Sequence, residues 1–453
     1  MTATPTSGPR ERLLSPAYAA TTIGVFALIA FNAFETLAVT TVMPTISQEL
    51  DGRDLYALAF AAPLASSVVG MVAAGLWSDR RGPAGALLVS LVLFTLGVLT
   101  CGLAPAMEVL VAGRVVQGLG TGALIVSLYV VVGVVYPSVL QPAVFASFAA
   151  AWVLPSLFGP GIAAFVAAAL GWRWVFLGIV GLVLLAAALI APVLPSLRRP
   201  ADEDRAPAAR SQLLWAAVAA VAVLGVELLG SRSSVLLAGV ALLVVLVSVR
   251  PLTPRGTLRA GRGLPAVIGT RGMMSAAFFC GQAYIVLVLQ ERWGLTAGHA
   301  GIALTVVGIV WASASQLQAR LRERVSHEAA MQVGTLTLLG ASVMLWLVVW
   351  GDAPSLLAGA AFVAAGAGMG FGFSRTGVAM LAASTDTDRG FNSSALTIAD
   401  SLGAALALSL CGIGFTVAEQ ADGDPFLAVF GVAVACAAGS VVTAFRTPAL
   451  TPA

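Results

Sequence analysis

The chain has 453 residues, 59% of them apolar and 10% charged, with a formal net charge of +3 and a mean hydropathy of +0.96. Soluble domains are only about half apolar, and no basic stretch here is long or aromatic enough to suggest nucleic-acid binding. The charges sit in short gaps between apolar runs that reach the ~20 residues needed to cross a bilayer, and lipid leaves helix as the only way to satisfy each run's backbone.

Fourteen such runs follow one another. Six begin near Tyr18, Leu55, Ala84, Met107, Val139 and Trp174, two near Gln212 and Ser234, and six near Ala266, Gly298, Ala329, Pro354, Asn392 and Pro425. The expected fold class is an all-α integral membrane protein. Residues 1–196 form one six-helix bundle, 197–265 hold two inserted transmembrane helices between charged, Pro-rich cytoplasmic linkers, and 266–453 form a second six-helix bundle.

Positive residues collect on the cytoplasmic side, and every basic residue here is Arg. With the N-terminus inside, 18 arginines fall in inner loops and tails, Arg271 among them, against 4 outside (Arg53, Arg173, Arg232, Arg292), with Arg114 and Arg375 left in the membrane. Both termini are therefore expected in the cytoplasm, and the Arg-only basic set with abundant Ala, Gly and Val suggests a GC-rich bacterial source. Residues 1–16 are polar and no cleavage pattern follows, so the first helix is expected to be retained. Cys101, Cys280, Cys411 and Cys436 lie in apolar helices without metal spacing and read as core residues. His299 and His327 fall in loops. Neither a metal nor a catalytic nucleophile arrangement is legible, nor a phosphate-binding loop, which argues against an enzyme or an ATP-driven pump.

The first helix carries Asn32, Phe34 and Glu35, the last a carboxylate in a membrane span. The loop after the second helix reads Gly75, Ser78, Asp79, Arg80, Arg81, Gly82. The fourth helix carries Arg114, Gln117 and a glycine-rich face (Gly113, Gly118, Gly120, Gly122), then Tyr129. An Arg inside a bilayer costs at least a few kcal/mol unless paired or wetted, about 3 on insertion scales. At a rise of about 1.5 Å per residue, Arg114 and Glu35 fall within about one turn of the same depth, so the two are expected to pair. In the fifth helix, Trp152 precedes Gly159, Pro160 and Gly161, where a missing donor and flexible chain predict a kink and close packing. Glu227 lies near the outer end of the first inserted helix, either snorkelling to the interface or attracting a cationic substrate. Phe279, Gln282, Tyr284 and Trp311 are polar or aromatic positions on the seventh and eighth spans of the two bundles. Arg375 and Asp400 both fall toward the cytoplasmic half of their helices and are expected to form a second pair, either gating or static.

The Asp79 loop resembles the loop motif of the major facilitator superfamily, although Pro83 and Ala84 replace its closing basic pair. Three further stretches are similar to its drug and proton antiporter branch with fourteen helices: Arg114, Gln117 and Gly118; Gly159, Pro160 and Gly161; and Gly171 to Phe176. The helix-one stretch from Asn32 to Pro44 also resembles that branch, with Glu35 where the family has Asp. The resemblance implies that Asp79 latches the cytoplasmic side against a helix start near Phe391 to Ser394, which puts Arg80 and Gly82 of the same loop in gating; Arg375 by its depth and Gly159 and Pro160 by their kink are further gating candidates. As polar or aromatic side chains on apolar helices, Asn32, Phe34, Tyr129, Trp152, Phe279, Gln282, Tyr284 and Trp311 are the candidates to line a cavity between the bundles, with bundle packing the alternative for each, and Glu227 joins them if a cationic substrate enters from the lipid side.

The expected function is a monomeric secondary exporter in the bacterial plasma membrane. It would move lipophilic small molecules outward and protons inward by alternating access, with Glu35, Arg114 and Asp400 coupling the proton and no other cofactor. The alternative cargo is a lipid or a dedicated natural product, and a non-transporting sensor on a transporter fold is a further alternative.

Overall fold

The computed structural model describes residues 13–16, 18–137, 140–197, 208–230, 235–321, 324–384 and 389–447. Among them are fourteen α-helices: α1 (Ala19–Glu49), α2 (Tyr56–Arg81), α3 (Pro83–Gly102), α4 (Met107–Val135), α5 (Gln141–Leu170), α6 (Arg173–Ile190), α7 (Ala208–Gly230), α8 (Val235–Val249), α9 (Leu264–Glu291), α10 (Ala297–Arg320), α11 (His327–Trp350), α12 (Ser355–Ala382), α13 (Arg389–Gln420) and α14 (Pro425–Ala444). Twelve of these are long and apolar enough to cross a membrane. The inserted pair has shorter apolar stretches, Ser211–Val226 and Leu237–Leu252.

Helix starts are written locally. Thr296 caps α10 by accepting from the His299 N–H, Ser326 caps α11 through the Ala329 N–H, and Asp424 caps α14 through the Phe426 N–H with Pro425 at the first helical position. His299 and His327 therefore lie in the first turns of α10 and α11, where these caps begin helices at residues expected to be loop. Between α2 and α3, Gly82 has φ +76°, a conformation that L side chains rarely adopt, and Pro83 starts the next helix at once. That geometry explains the glycine of the Asp79 loop.

Helices α1 to α6 pack on one another, as do α9 to α14, and the two sets meet along α2 with α13 and α5 with α10. Close approach depends on the glycines of α4. A Cβ on Gly118 would collide with Pro63 and Ser66 of α2, one on Gly120 with Phe94 of α3, and one on Gly122 with Ser67 of α2. Small residues at such crossings let backbones touch, which is how helices associate where lipid is as apolar as the side chains.

The inserted pair is not a passive tether. Ala216, Ala219, Ala220 and Val223 of α7 share one apolar core with Ala65 and Val68 of α2 and Leu402 and Ala405 of α13. The Ser409 hydroxyl of α13 donates to the Val223 carbonyl at 3.4 Å. Thus α7 covers one of the two seams where the sets of six meet, and α8 packs outside it, with Leu237, Val240 and Leu243 exposed.

Candidate functional site

Three charged constellations are built by the helices, and two lie within the membrane-spanning segments. In the first, Glu35 of α1 and Arg114 of α4 form an ion pair, with 4% and 6% of their side chains exposed. Arg114 is held on two more sides: its Nη1 donates to Gln117 Oε1 at 2.7 Å and its Nε to the Ala59 carbonyl of α2 at 3.0 Å. Gln117 lies one turn after Arg114, so the motif residue orients its own neighbour. Sequence depth places this pair correctly.

The second constellation differs from the expected one. Asp400 of α13 pairs with Arg271 of α9 (3.1 Å), and the Ser275 hydroxyl also donates to it. Arg271 Nη1 donates to the Phe373 carbonyl at 3.1 Å and to Thr376 Oγ1 at 3.3 Å, and its guanidinium lies over the Phe373 ring. Arg271, counted from sequence as an inner-loop residue, is the eighth residue of α9 and part of the site. Arg375 of α12 instead contacts His327 Nδ1 and donates to the Gln318 carbonyl, both at 3.1 Å. Depth alone could not choose between the two arginines. Each lies seven residues, or roughly two turns, from its helix end. Packing decides, because α13 lies along α9 and touches α12 far less. About a fifth of the Arg271 and Asp400 side-chain surface remains exposed (18% and 21%), unlike the first pair.

The third constellation was not anticipated. It lies at the end of the molecule that carries the α1–α2 connection, the end expected from sequence to face outward. Arg53 reaches from that connection to Glu291 of α9 (2.9 Å) and Glu419 of α13 (3.1 Å), over the Phe415 ring. Tyr56 of α2 donates its hydroxyl to the Ala283 carbonyl of α9 at 2.7 Å and packs on Tyr284, which packs in turn on Phe415. Tyr284 is thus 2% exposed within this closure and does not line an open cavity. Nearby, Arg292 pairs with Asp352 and Asp424, and a cleft of about 590 Å³ opens between these groups. A signal did exist: of the four arginines placed outside against the trend, Arg53, Arg173 and Arg292 each pair with a carboxylate, and Arg232 lies outside the described residues.

The fifth helix meets its own set on one face and the other set on another. Gly159 faces Phe34 of α1 at ordinary contact distance, and Pro160 abuts Gly301 of α10. Gly161 meets nothing within 4 Å, so it does not serve the close packing expected of it. Asn32 and Gln282 are buried. Phe279 packs on Phe278, and Trp311 packs edge-on against Phe278 and Phe373, beside Arg271. Tyr129 stacks on Phe148 and lies within electrostatic range of Arg271 and Asp400. Tyr129 and Trp152 are 50% and 43% exposed. Arg80 is half-buried. The side chains of Asp79 and Glu227 lie outside the described residues, so the expected latch to Phe391–Ser394 has no described geometry.

This arrangement of paired helical sets has a match in sequence. The profile of the Major Facilitator Superfamily covers residues 25–408. The chain belongs to the major facilitator superfamily. A Mycobacterium tuberculosis (strain ATCC 25618 / H37Rv) protein named "Probable multidrug-efflux transporter Rv1634" is 30% identical over 364 residues, 75% of this chain and 76% of that one. The "Multidrug efflux pump SdrM" of Staphylococcus aureus (strain N315) is 22% identical, covering 72% and 74%. Among solved structures, a D-xylose–proton symporter has a TM-score of 0.68 at 15% identity, covering 96% of this chain and 99% of that one, a likeness of fold alone. This superfamily member is a multi-pass membrane protein of a transporter family, not an enzyme.

Proposed function

We propose that this superfamily member is a proton-coupled exporter of lipophilic small molecules in a bacterial plasma membrane, with both termini cytoplasmic. The efflux names of the relatives support the cargo class, and a lipid or dedicated natural product is the second reading of that cargo. The observation that carries the proposal is the burial of Glu35, a carboxylate on an intramembrane helix whose counter-charge is itself held by two neutral acceptors.

The chemistry follows from that geometry. Arg114 stays in place when Glu35 takes a proton, because Gln117 and the Ala59 carbonyl still hold it. Its charge is then uncompensated, which in a buried site costs about 3–5 kcal/mol. Protonation therefore becomes favourable only where water or substrate reaches Arg114, so proton uptake is tied to opening. Asp400 is the second coupling group, with Arg271 as its partner and Ser275 orienting it.

Alternating access supplies the opening. In this reading two six-helix bundles rock about the central cavity, the Arg53 contacts and the α5–α10 seam close the outer side, and the partly exposed Arg271–Asp400 pair faces inward. Asn32, Phe34, Tyr129, Trp152, Phe279, Gln282 and Trp311 supply aromatic and amide surface for a lipophilic cargo. Purified protein in liposomes should show proton flux only when a transported compound is present, with compounds chosen by a tolerance screen in a strain lacking its own pumps. Transport that persists unchanged after the proton gradient is collapsed would rule the scheme out.

A further inference from the structure

The connection from α8 to α9 has a built surface that the proposed transport scheme does not involve. Residues 250–263 contain four arginines and no acid. They form two short helical turns, Arg250–Leu252 and Thr257–Arg259. Leu252 and Thr253 are buried, and the Thr253 and Thr257 hydroxyls donate to the Val249 and Pro254 carbonyls at 2.9 and 2.8 Å. Gly256 at φ +95° turns the chain back on itself, the Gly261 N–H bonding the Gly256 carbonyl at 3.0 Å. From the end of α14, Arg446 pins the turn by donating to the Arg259 and Ala260 carbonyls.

The result is a concave site of about 320 Å³ rimmed by Arg250, Arg255 and Arg259, with Leu258 45% exposed beside them. Among the described residues, none of these guanidiniums is paired with a carboxylate. Loop charge alone would satisfy the positive-inside rule; it does not require a pinned, folded cup.

The adjoining helix indicates what fills the cup. Leu243, Leu246 and Val247 of α8 are all exposed, and Arg250 follows at the spacing that continues the same helical face. An apolar strip deep in the bilayer thus ends in a cluster of cations without carboxylate partners at its edge. We propose that this cup binds the phosphate of an anionic phospholipid of the leaflet at this face, whose acyl chains lie along α8. The headgroup would then fasten the inserted pair, and through α7 the covered seam, to the membrane.

The test reads lipid retention and is independent of transport. Native mass spectrometry of the full chain, titrated with phosphatidylglycerol or phosphatidylcholine, should show about a tenfold to hundredfold preference for the anionic lipid, the range expected when two or three arginines meet an anionic headgroup. The triple substitution R250Q/R255Q/R259Q should bring the two lipids to parity, while R250K/R255K/R259K should keep most of the preference. L258Q, which leaves every charge in place, should weaken phosphatidylglycerol retention severalfold and serves if the glutamine variant fails to fold. Equal retention of both lipids by the unaltered protein, or an unchanged preference in the glutamine or L258Q variants, overturns the proposal. So does full displacement of phosphatidylglycerol by inorganic phosphate, which would make the cup a site for soluble anions.

Discussion

Arg53 offers the most quantitative test of the outer closure. Its guanidinium bridges Glu291 and Glu419 and lies over Phe415, while 47% of its side chain remains in solvent. Ion pairs this exposed contribute about 0.2–1 kcal/mol each after screening, and the ring contact about 0.5–1 kcal/mol. Arg53→Gln should therefore move the equilibrium toward the outward-open form by about 1–3 kcal/mol, a factor of about 5 to 150. Ala283, whose carbonyl receives the Tyr56 hydroxyl, is 2% exposed in the closed arrangement. In a background without the four native cysteines, Ala283→Cys should react with an impermeant maleimide from outside at a rate proportional to the open fraction. The Arg53→Gln background should raise that rate by the same factor and make it less sensitive to salt. An unchanged rate would refute the closure, and a decrease would show that Arg53 favours opening.

Four further outcomes follow from the packing. The Ala164 Cβ lies 3.9 Å from the position of a Cβ on Gly298, within the range for a disulfide. Ala164→Cys with Gly298→Cys should cross-link on oxidation and stop transport until reduced; full activity in the oxidised protein would argue against opening at the α5–α10 seam. Gly118→Ala should destabilise the protein by about 1–3 kcal/mol, because its Cβ has no room against α2, and thermal unfolding in detergent reads the effect. Gly161→Ala should be neutral or stabilising by up to about 1 kcal/mol, since nothing lies within 4 Å. Asp400→Asn should keep the fold but lower gradient-driven transport more than Arg375→Lys, because Asp400 pairs with Arg271 and not with Arg375; equal losses would argue against a coupling role particular to Asp400.

The fold was legible because the apolar runs are long and the charges sparse, and the first residue of each helix lies within a few positions of where the runs begin. The Glu35–Arg114 pair was legible for the same reason: a guanidinium deep in an apolar run must find an acid, and one lay at its depth. Asp400 had two arginines at similar depth, and only the lateral order of helices separates them. Arg271 was hidden by its nearness to a loop already rich in arginine. Tyr284 shows a different limit, since a polar side chain on an apolar helix looks the same from sequence whether it lines a cavity or closes a seam. The outer closure joins residues more than 200 positions apart, and pattern along the chain does not give such pairings.

The direct test of the central claim separates exchange from coupling at Glu35. In proteoliposomes, Glu35→Gln should still exchange labelled for unlabelled substrate at equal concentrations, yet lose accumulation driven by a pH gradient and the accompanying proton flux. If that variant retains full gradient-driven accumulation, the proton is carried elsewhere and the proposed role of the Glu35–Arg114 pair is wrong.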